Sequence, residues 1–254
     1  MRARILGSGT SSGVPRIGND WGACDPGEAR NRRTRASILV EHERTRILID
    51  TSPDLREQLL AADVAKVDAV IWTHDHADHC HGIDDLRQVF HATGVPVAGY
   101  ARPATLGVLE ERFGYVFRGR DGYPSTVDGR ALPDRLRIGS IDVQVVDQPH
   151  GSISSAGLVF EAGGARIGYA TDFNVMTADM RAAYRTLDVW IVDALRHAPH
   201  PSHPTVAAVL EWVEELSPRR TALIHMDQSM DYRTLRAWLP AGVEPGYDGL
   251  ILEA

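Results

Sequence analysis

The sequence is poor in cysteine: Cys24 and Cys80 are the only two among 254 residues, too few for a disulfide framework. It lacks any run near the ~18 apolar residues that a membrane helix needs. Its opening, MRARILGSGT, has no leader-like apolar core, so a cytoplasmic protein with no membrane partner is expected. Low-complexity linkers, internal repeats and blocks of one charge are missing as well. So is the basic excess typical of proteins that grip long nucleic acid, since 27 Lys and Arg face 34 Asp and Glu, a net charge of −7. What remains is 43% hydrophobic and 24% charged, ordinary for a globular chain. The length suits a single domain over residues 1–254, of α/β or all-β type.

Short β-branched runs alternate with helical patterns. Ala3–Gly7, Ser37–Glu41, Thr45–Asp50, Asp68–Thr73 and Val95–Tyr100 read as strands, with helical patterns at Pro53–Ala62, Ile83–Ala92 and Pro103–Phe113. Gly119–Asp134, rich in Gly, Pro, Asp and Ser, reads as a surface loop. Strands follow at Ile141–Asp147, Gly157–Glu161, Arg166–Thr171, Val189–Asp193 and Thr221–His225. Helices are expected near Ala178–Leu187, Thr205–Leu216 and Tyr232–Trp238. The pattern predicts two sheet-rich halves.

One residue type is in excess. Of 11 histidines, four fall between His74 and His81. The apolar Val70-Ile71-Trp72 runs straight into Thr73-His74-Asp75-His76-Ala77-Asp78-His79, which packs three imidazoles and two carboxylates into six residues. Residues two apart on an extended chain face the same side, so His74 and His76 can share one ion. Asp78 and His79, where the chain turns toward a helix, can face a second.

Further candidate ligands also sit at strand ends: His150 after Val146–Pro149, Asp172 after Ile167–Thr171, and His225 after Ala222–Ile224. Taken singly, each is more often a capping residue or a satisfied core histidine. Together they supply what the His74 cluster lacks, on strand tips that keep their geometry. Asp50, ending Ile47-Leu48-Ile49, reads either as a turn residue or as a carboxylate that orients ligands. The Thr10–Gly13 loop, Arg33 and Arg35 could hold a substrate anion or be plain surface; no substrate-binding residue is assigned.

At these residues the chain resembles the metallo-β-lactamase superfamily, whose H-x-H-x-D-H hallmark is matched by His74-Asp75-His76-Ala77-Asp78-His79. The resemblance covers nearly the whole chain and implies an αββα sandwich, two mixed β-sheets face to face with helices outside. It implies that His74, His76 and His150 hold one divalent metal, that Asp78, His79 and His225 hold another, and that Asp172 bridges them. Zinc or manganese suits such a set. An aspartate bridge, where many β-lactamases have cysteine, favours an oxygen-rich phosphate substrate. His203-Pro204-Thr205 resembles the H-x-T segment of ribonuclease Z and related phosphodiesterases, which makes His203 the expected acid for the leaving oxygen.

Gly7-Ser8-Gly9-Thr10-Ser11-Ser12-Gly13-Val14-Pro15, Arg33-x-Arg35-x-Ser37 and Gly246-Tyr247-Asp248-Gly249 resemble the phosphoribosyl 1,2-cyclic phosphate phosphodiesterases. That subgroup often carries a separate structural zinc; here only Cys24 of its cysteines is kept and Gln228 replaces its histidine, so no such zinc is expected. The function implied is hydrolysis of a small phosphodiester, a ribose cyclic phosphate or a nucleotide, by a hydroxide that two cations activate and Asp78 orients. A homodimer is common in the family. Alternatives are a ribonuclease Z-like nuclease, although its basic Gly/Pro-rich arm is missing, a lactonase or thioesterase, and a non-catalytic nucleotide-binding protein. His42, His81, His91, His197 and His200 are left without a task.

Overall fold

A computed structural model describes all 254 residues. The first sheet holds β1 (Arg2–Gly7), β2 (Ser37–His42), β3 (Thr45–Ile49), β4 (Ala69–Ile71), β5 (Val97–Ala101) and β6 (Val127–Ala131). The second holds β7 (Arg135–Ile138), β8 (Ile141–His150), β9 (Ile153–Ala162), β10 (Ala165–Ala170), β11 (Val189–Asp193), β12 (Arg220–Ile224) and β13 (Val243–Pro245). The last strand, β14 (Ile251–Glu253), returns to the first sheet, giving orders β14-β1-β2-β3-β4-β5-β6 and β13-β12-β11-β10-β9-β8-β7. Each sheet is mixed: β3 to β6 and β10 to β13 run parallel, and the neighbours of β2 and β9 run antiparallel.

The pleat explains the near-continuous apolar runs. Ile38, Val40, Ile47, Ile49 and Ile71 face inward and meet Leu158, Phe160, Ile167, Ile191 and Ile224 of the other sheet. Their neighbours Leu39, Leu48, Val70 and Trp72 face outward, beneath α1 (Leu55–Ala62), α3 (Leu86–Thr93) and α4 (Pro103–Arg112). Across the molecule Val159, Trp190, Val192 and Leu223 lie beneath α6 (Ala178–Ala183), α7 (Val206–Leu216) and α8 (Tyr232–Trp238). Strands covered on both faces have no polar side to show, so alternation disappears. The result is helix, sheet, sheet, helix, the expected αββα sandwich. None of its helices is long and apolar enough to cross a membrane.

The structure departs from the sequence reading mainly at sheet edges. The stretch expected to be a loop over Gly119–Asp134 contains β6, paired in parallel with β5 from Val97↔Val127 to Ala101↔Ala131. Only Val127 of its five residues is buried, so the apolar signal of a strand is missing. Strands β7, β13 and β14 escape for the same reason: they are three or four residues long and carry Arg, Glu or Pro. Edge strands are protected by such residues against pairing with other chains. The expected Ile83–Ala92 helix divides into a 3-10 turn, Ile83–Asp85, and α3. Two short helices were not foreseen as such, α2 (Ala77–Cys80) and α5 (Gly114–Arg118).

Candidate metal centre

Strand direction gathers the site. The C-terminal tips of β3, β4, β8, β10, β11 and β12 share one edge of the sandwich with the N-terminal ends of β2 and β9. Asp50, His74, His150, Asp172, Asp193 and His225 are therefore brought together from strands far apart in sequence. Asp50, Asp172 and His225 adopt φ of 62°, 53° and 57°. Such backbone is uncommon outside glycine, and here it turns each side chain in at its strand tip.

His74, His76, His150 and Asp172 form one donor cluster, and Asp78, His79 and His225 form another. In the first, His150 Nε2 lies 3.3 Å from His76 Nδ1 and 3.6 Å from Asp172 Oδ1, and His74 Nε2 lies 3.8 Å from that oxygen. In the second, Asp172 Oδ2 is 3.1 Å from His79 Nε2 and 3.5 Å from His225 Nε2, while Asp78 Oδ2 is 3.3 Å and 3.5 Å from the same two nitrogens. Asp172 thus turns one oxygen to each cluster.

The donors fit divalent cations. His74 Nε2 is fully buried with no hydrogen-bond partner, an arrangement costing about 1–3 kcal/mol unless something accepts its lone pair. A mixed imidazole and carboxylate set is what zinc or manganese takes. The electrostatics differ between the clusters: against burial, which lowers both rings, Asp172 and its neighbouring carboxylates raise His79 well above the usual imidazole value and His225 to about 9, so a cation binding there displaces their protons, whereas Asp172 and His74 are already in the donor form. Burial opposes a charge on Asp172, yet His225, His79 and His74 hold its carboxyl well below the usual range. Burial, with His79 next to it, keeps His74 well below the usual imidazole value, hence neutral and able to donate a lone pair.

Outer partners fix the rings. His74 Nδ1 faces Thr73 Oγ1 at 3.0 Å and His150 Nδ1 faces the Ser202 carbonyl at 3.0 Å. Asp50 acts as an orienting carboxylate: fully buried, it lies 2.7 Å from His79 Nδ1 and accepts from Thr73 N at 2.8 Å. Asp193 joins the site without having been expected there. Its Oδ2 lies 2.7 Å from His203 Nδ1 and accepts from the Asp172 N–H at 3.2 Å. The signal was present, because Asp193 ends the apolar run Val189–Val192 as Asp50 ends Ile47–Ile49. His203 stacks on His225, ring centroids 4.8 Å apart at 14°, with its Nε2 3.9 Å from Asp172 Oδ1. Thr205 caps α7, accepting from Ala208 N, so its role is structural.

The candidate anion holders fare differently. Arg33 is a buried tie and no surface cation: it donates to the carbonyls of Asp227 and Met230 and approaches Cys24 Sγ at 3.8 Å. Arg35 pairs with Asp54 at 3.1 Å. In the Thr10–Gly13 loop, the Thr10 and Gly13 N–H groups bond Met226 O and Thr10 O, which leaves Ser11 and Ser12 exposed. Asp248 of the C-terminal motif is half-buried, and its carboxylate accepts from the backbone and hydroxyl of both Ser8 and Thr34. That joins two segments the sequence comparison had linked only by likeness.

Comparison with known proteins agrees with this geometry. A model of the β-lactamase superfamily domain matches residues 45–226. An octanoyltransferase of Porphyromonas gingivalis is 32% identical over 258 residues, covering 98% of this chain and 51% of that protein, so the chain spans about half the length of this relative. A crystal structure of a diphosphatase from the PhnP family superposes with a TM-score of 0.91 at 34% identity, covering 100% of this chain and 97% of that one. Zinc-bound PqqB from Methylobacterium extorquens shares the fold, with a TM-score of 0.80 at 21% identity and complete coverage of both chains. With a family match over most of its length and both His/Asp donor clusters assembled, the chain belongs to the metallo-β-lactamase superfamily.

Proposed function

We propose that the chain hydrolyses a small phosphodiester, such as a ribose cyclic phosphate or a nucleotide, with two divalent cations, zinc or manganese, in its two donor clusters. The observation that carries this reading is the pair Asp193 and His203 standing beside Asp172. Expulsion of an alkoxide from a phosphodiester calls for a proton at the departing oxygen, and this pair sets an imidazole beside the two donor clusters to give it. The diphosphatase similarity at 34% identity supports a phosphate substrate.

Bound cations would supply an acidified water and neutralise phosphoryl charge. The chain's own residues do the rest. Asp78 orients the attacking water through a carboxylate held next to both His79 and His225. The water sheds one proton to solvent as its oxygen adds to phosphorus, the P–O ester bond breaks, His203 gives its Nε2 proton to the departing oxygen, and the ring takes a proton back from solvent. Asp193 stabilises the protonated ring through Nδ1. The net charge of −7 is unfavourable for a long polyanion, while the site's cations would attract a small phosphate.

Protein loaded with zinc or with manganese is assayed on bis(p-nitrophenyl) phosphate and on ribose 1,2-cyclic phosphate, with precursor tRNA as a control. Turnover of either small ester, with tRNA intact, is expected. Inactivity on both small esters with both metals would overturn the reading.

A further inference from the structure

The segment between β11 and α7 carries His197, His200 and His203 at intervals of three, and the mechanism above uses only the last. Its shape is pinned at several points. Arg196 and Thr205 bridge at its base, and the Arg196 guanidinium donates to the carbonyls of Ala198 and Pro199. Asn174 Nδ2 donates to Pro201 O at 2.9 Å, and Ser202 O meets the candidate ligand His150. A loop tied this closely to the site presents its side chains in fixed positions.

His200 continues a row of imidazoles leading out of the site. His79 and His225 lie 5.8 Å apart at 19°, His225 and His203 4.8 Å at 14°, and His203 and His200 5.0 Å at 51°. Burial falls along the row: His79 and His225 are buried, His203 and His200 half-buried. His200 Nδ1 accepts from the Ser202 N–H at 3.3 Å and lies equally close to Ser202 Oγ. An Nδ1 acceptor places the ring proton on Nε2, and that N–H has no partner within the chain.

We propose that His200 is a specificity residue, whose Nε2–H binds an oxygen of the leaving group two or three bonds beyond the atom that His203 protonates. The inference rests on the phosphodiesterase reading. It follows from order along the row: if His203 meets the departing oxygen, the next group outward meets what that oxygen is attached to. The ligand chemistry is a neutral-donor contact to a hydroxyl or phosphate oxygen, which a sugar or a second phosphate supplies and a p-nitrophenyl ring does not.

The test compares wild type, His200→Ala and His200→Gln on three substrates: bis(p-nitrophenyl) phosphate, ribose 1,2-cyclic phosphate and a dinucleoside diphosphate. Metal content is measured throughout to show that the site stays intact. For whichever oxygen-bearing substrate the wild type turns over, His200→Ala is expected to lose about tenfold in kcat/KM, the scale of one neutral hydrogen bond. The aryl ester should stay within about twofold of wild type, and His200→Gln, which keeps a donor, should recover most of the loss. The arm that falls shows whether the oxygen belongs to a sugar or to a second phosphate. Equal losses on aryl and oxygen-bearing substrates, no loss on any, or a wild type active on the aryl ester alone would each overturn the assignment of His200. A wild type inactive on both bis(p-nitrophenyl) phosphate and ribose 1,2-cyclic phosphate would remove the phosphodiesterase reading along with it.

Discussion

Asp193 places one carboxylate oxygen 2.7 Å from His203 Nδ1 and the other 3.9 Å from His225 Nδ1, so a single side chain backs both a candidate acid and a candidate ligand. Removing the acid should separate the two roles. His203→Ala is expected to keep the wild-type metal content while turnover falls by about two to four powers of ten, the usual contribution of general acid catalysis. Asp193→Asn leaves the His203 ring in place but removes anionic support from both His203 and His225, so a smaller fall, about 10- to 100-fold, is expected. Steady-state kinetics beside metal analysis decides this, and unchanged turnover in His203→Ala would take His203 out of the mechanism.

Away from the site, Glu28 gathers two arginines. Its carboxylate is almost wholly inaccessible and lies 2.8 Å from Arg30 Nε and 2.7 Å from Arg233 Nε, joining the segment before β2 to α8. The Arg30 side chain, then the Arg30 backbone N–H and Arg233, pull its pKa from an ordinary 4.5 to about 2. A carboxyl depressed in the fold adds stability above its unfolded pKa, and that share is lost as pH falls from about 4.5 through 2. Melting temperatures across this range should therefore fall more steeply for wild type than for Glu28→Gln. Parallel curves would show that the two arginines contribute nothing through Glu28.

Cys80 follows the hallmark motif directly, yet its thiol is chemically quiet. It is fully buried, its Sγ donates to the Asp75 carbonyl at 3.4 Å, and burial pushes its pKa to about 12. Only the thiolate reacts with alkylating agents. Native protein treated with iodoacetamide at pH 8 should keep Cys80 unmodified over an hour, whereas unfolded protein should be labelled at once. Peptide mass mapping reads this, and rapid labelling of native Cys80 would contradict its burial.

The parts of the fold that sequence makes legible are those under strong physical demand. Strands β1 to β5 and β8 to β12 announce themselves because most of their apolar side chains are buried, between the sheets or beneath the helices. Edge strands such as β6 are held by backbone pairing to one neighbour, and Asp128, Gly129 and Arg130 carry no mark of it. In the site, His74 to His79 are legible because the ligands are close in sequence. Asp193 is not, because its partner His203 stands ten residues away across a loop. Arg33 misleads in the opposite direction: a guanidinium in a polar stretch reads as surface, and only the fold shows that Asp227, Met230 and Asn31 surround it.

Asp50 offers the sharpest check on how the centre is held. Its carboxylate is fully buried, receives Thr73 N and Oγ1, and fixes His79 through Nδ1, so that Nε2 faces Asp78 and Asp172. A ligand histidine that loses such a partner can rotate or change tautomer, which typically costs 10- to 100-fold in metal affinity. Asp50→Asn preserves the shape but replaces one anionic oxygen with an amide, so a loss near 10-fold is expected; Asp50→Ala should lie nearer 100-fold. Because the His74, His76 and His150 cluster has its own supports at Thr73 Oγ1 and Ser202 O, the loss should concentrate in one ion. Titration with a competing chelator should then resolve one tight and one weakened step. Two steps weakened alike would mean that Asp50 supports the whole edge through Thr73, and two unchanged steps would mean that His79 needs no carboxylate behind it.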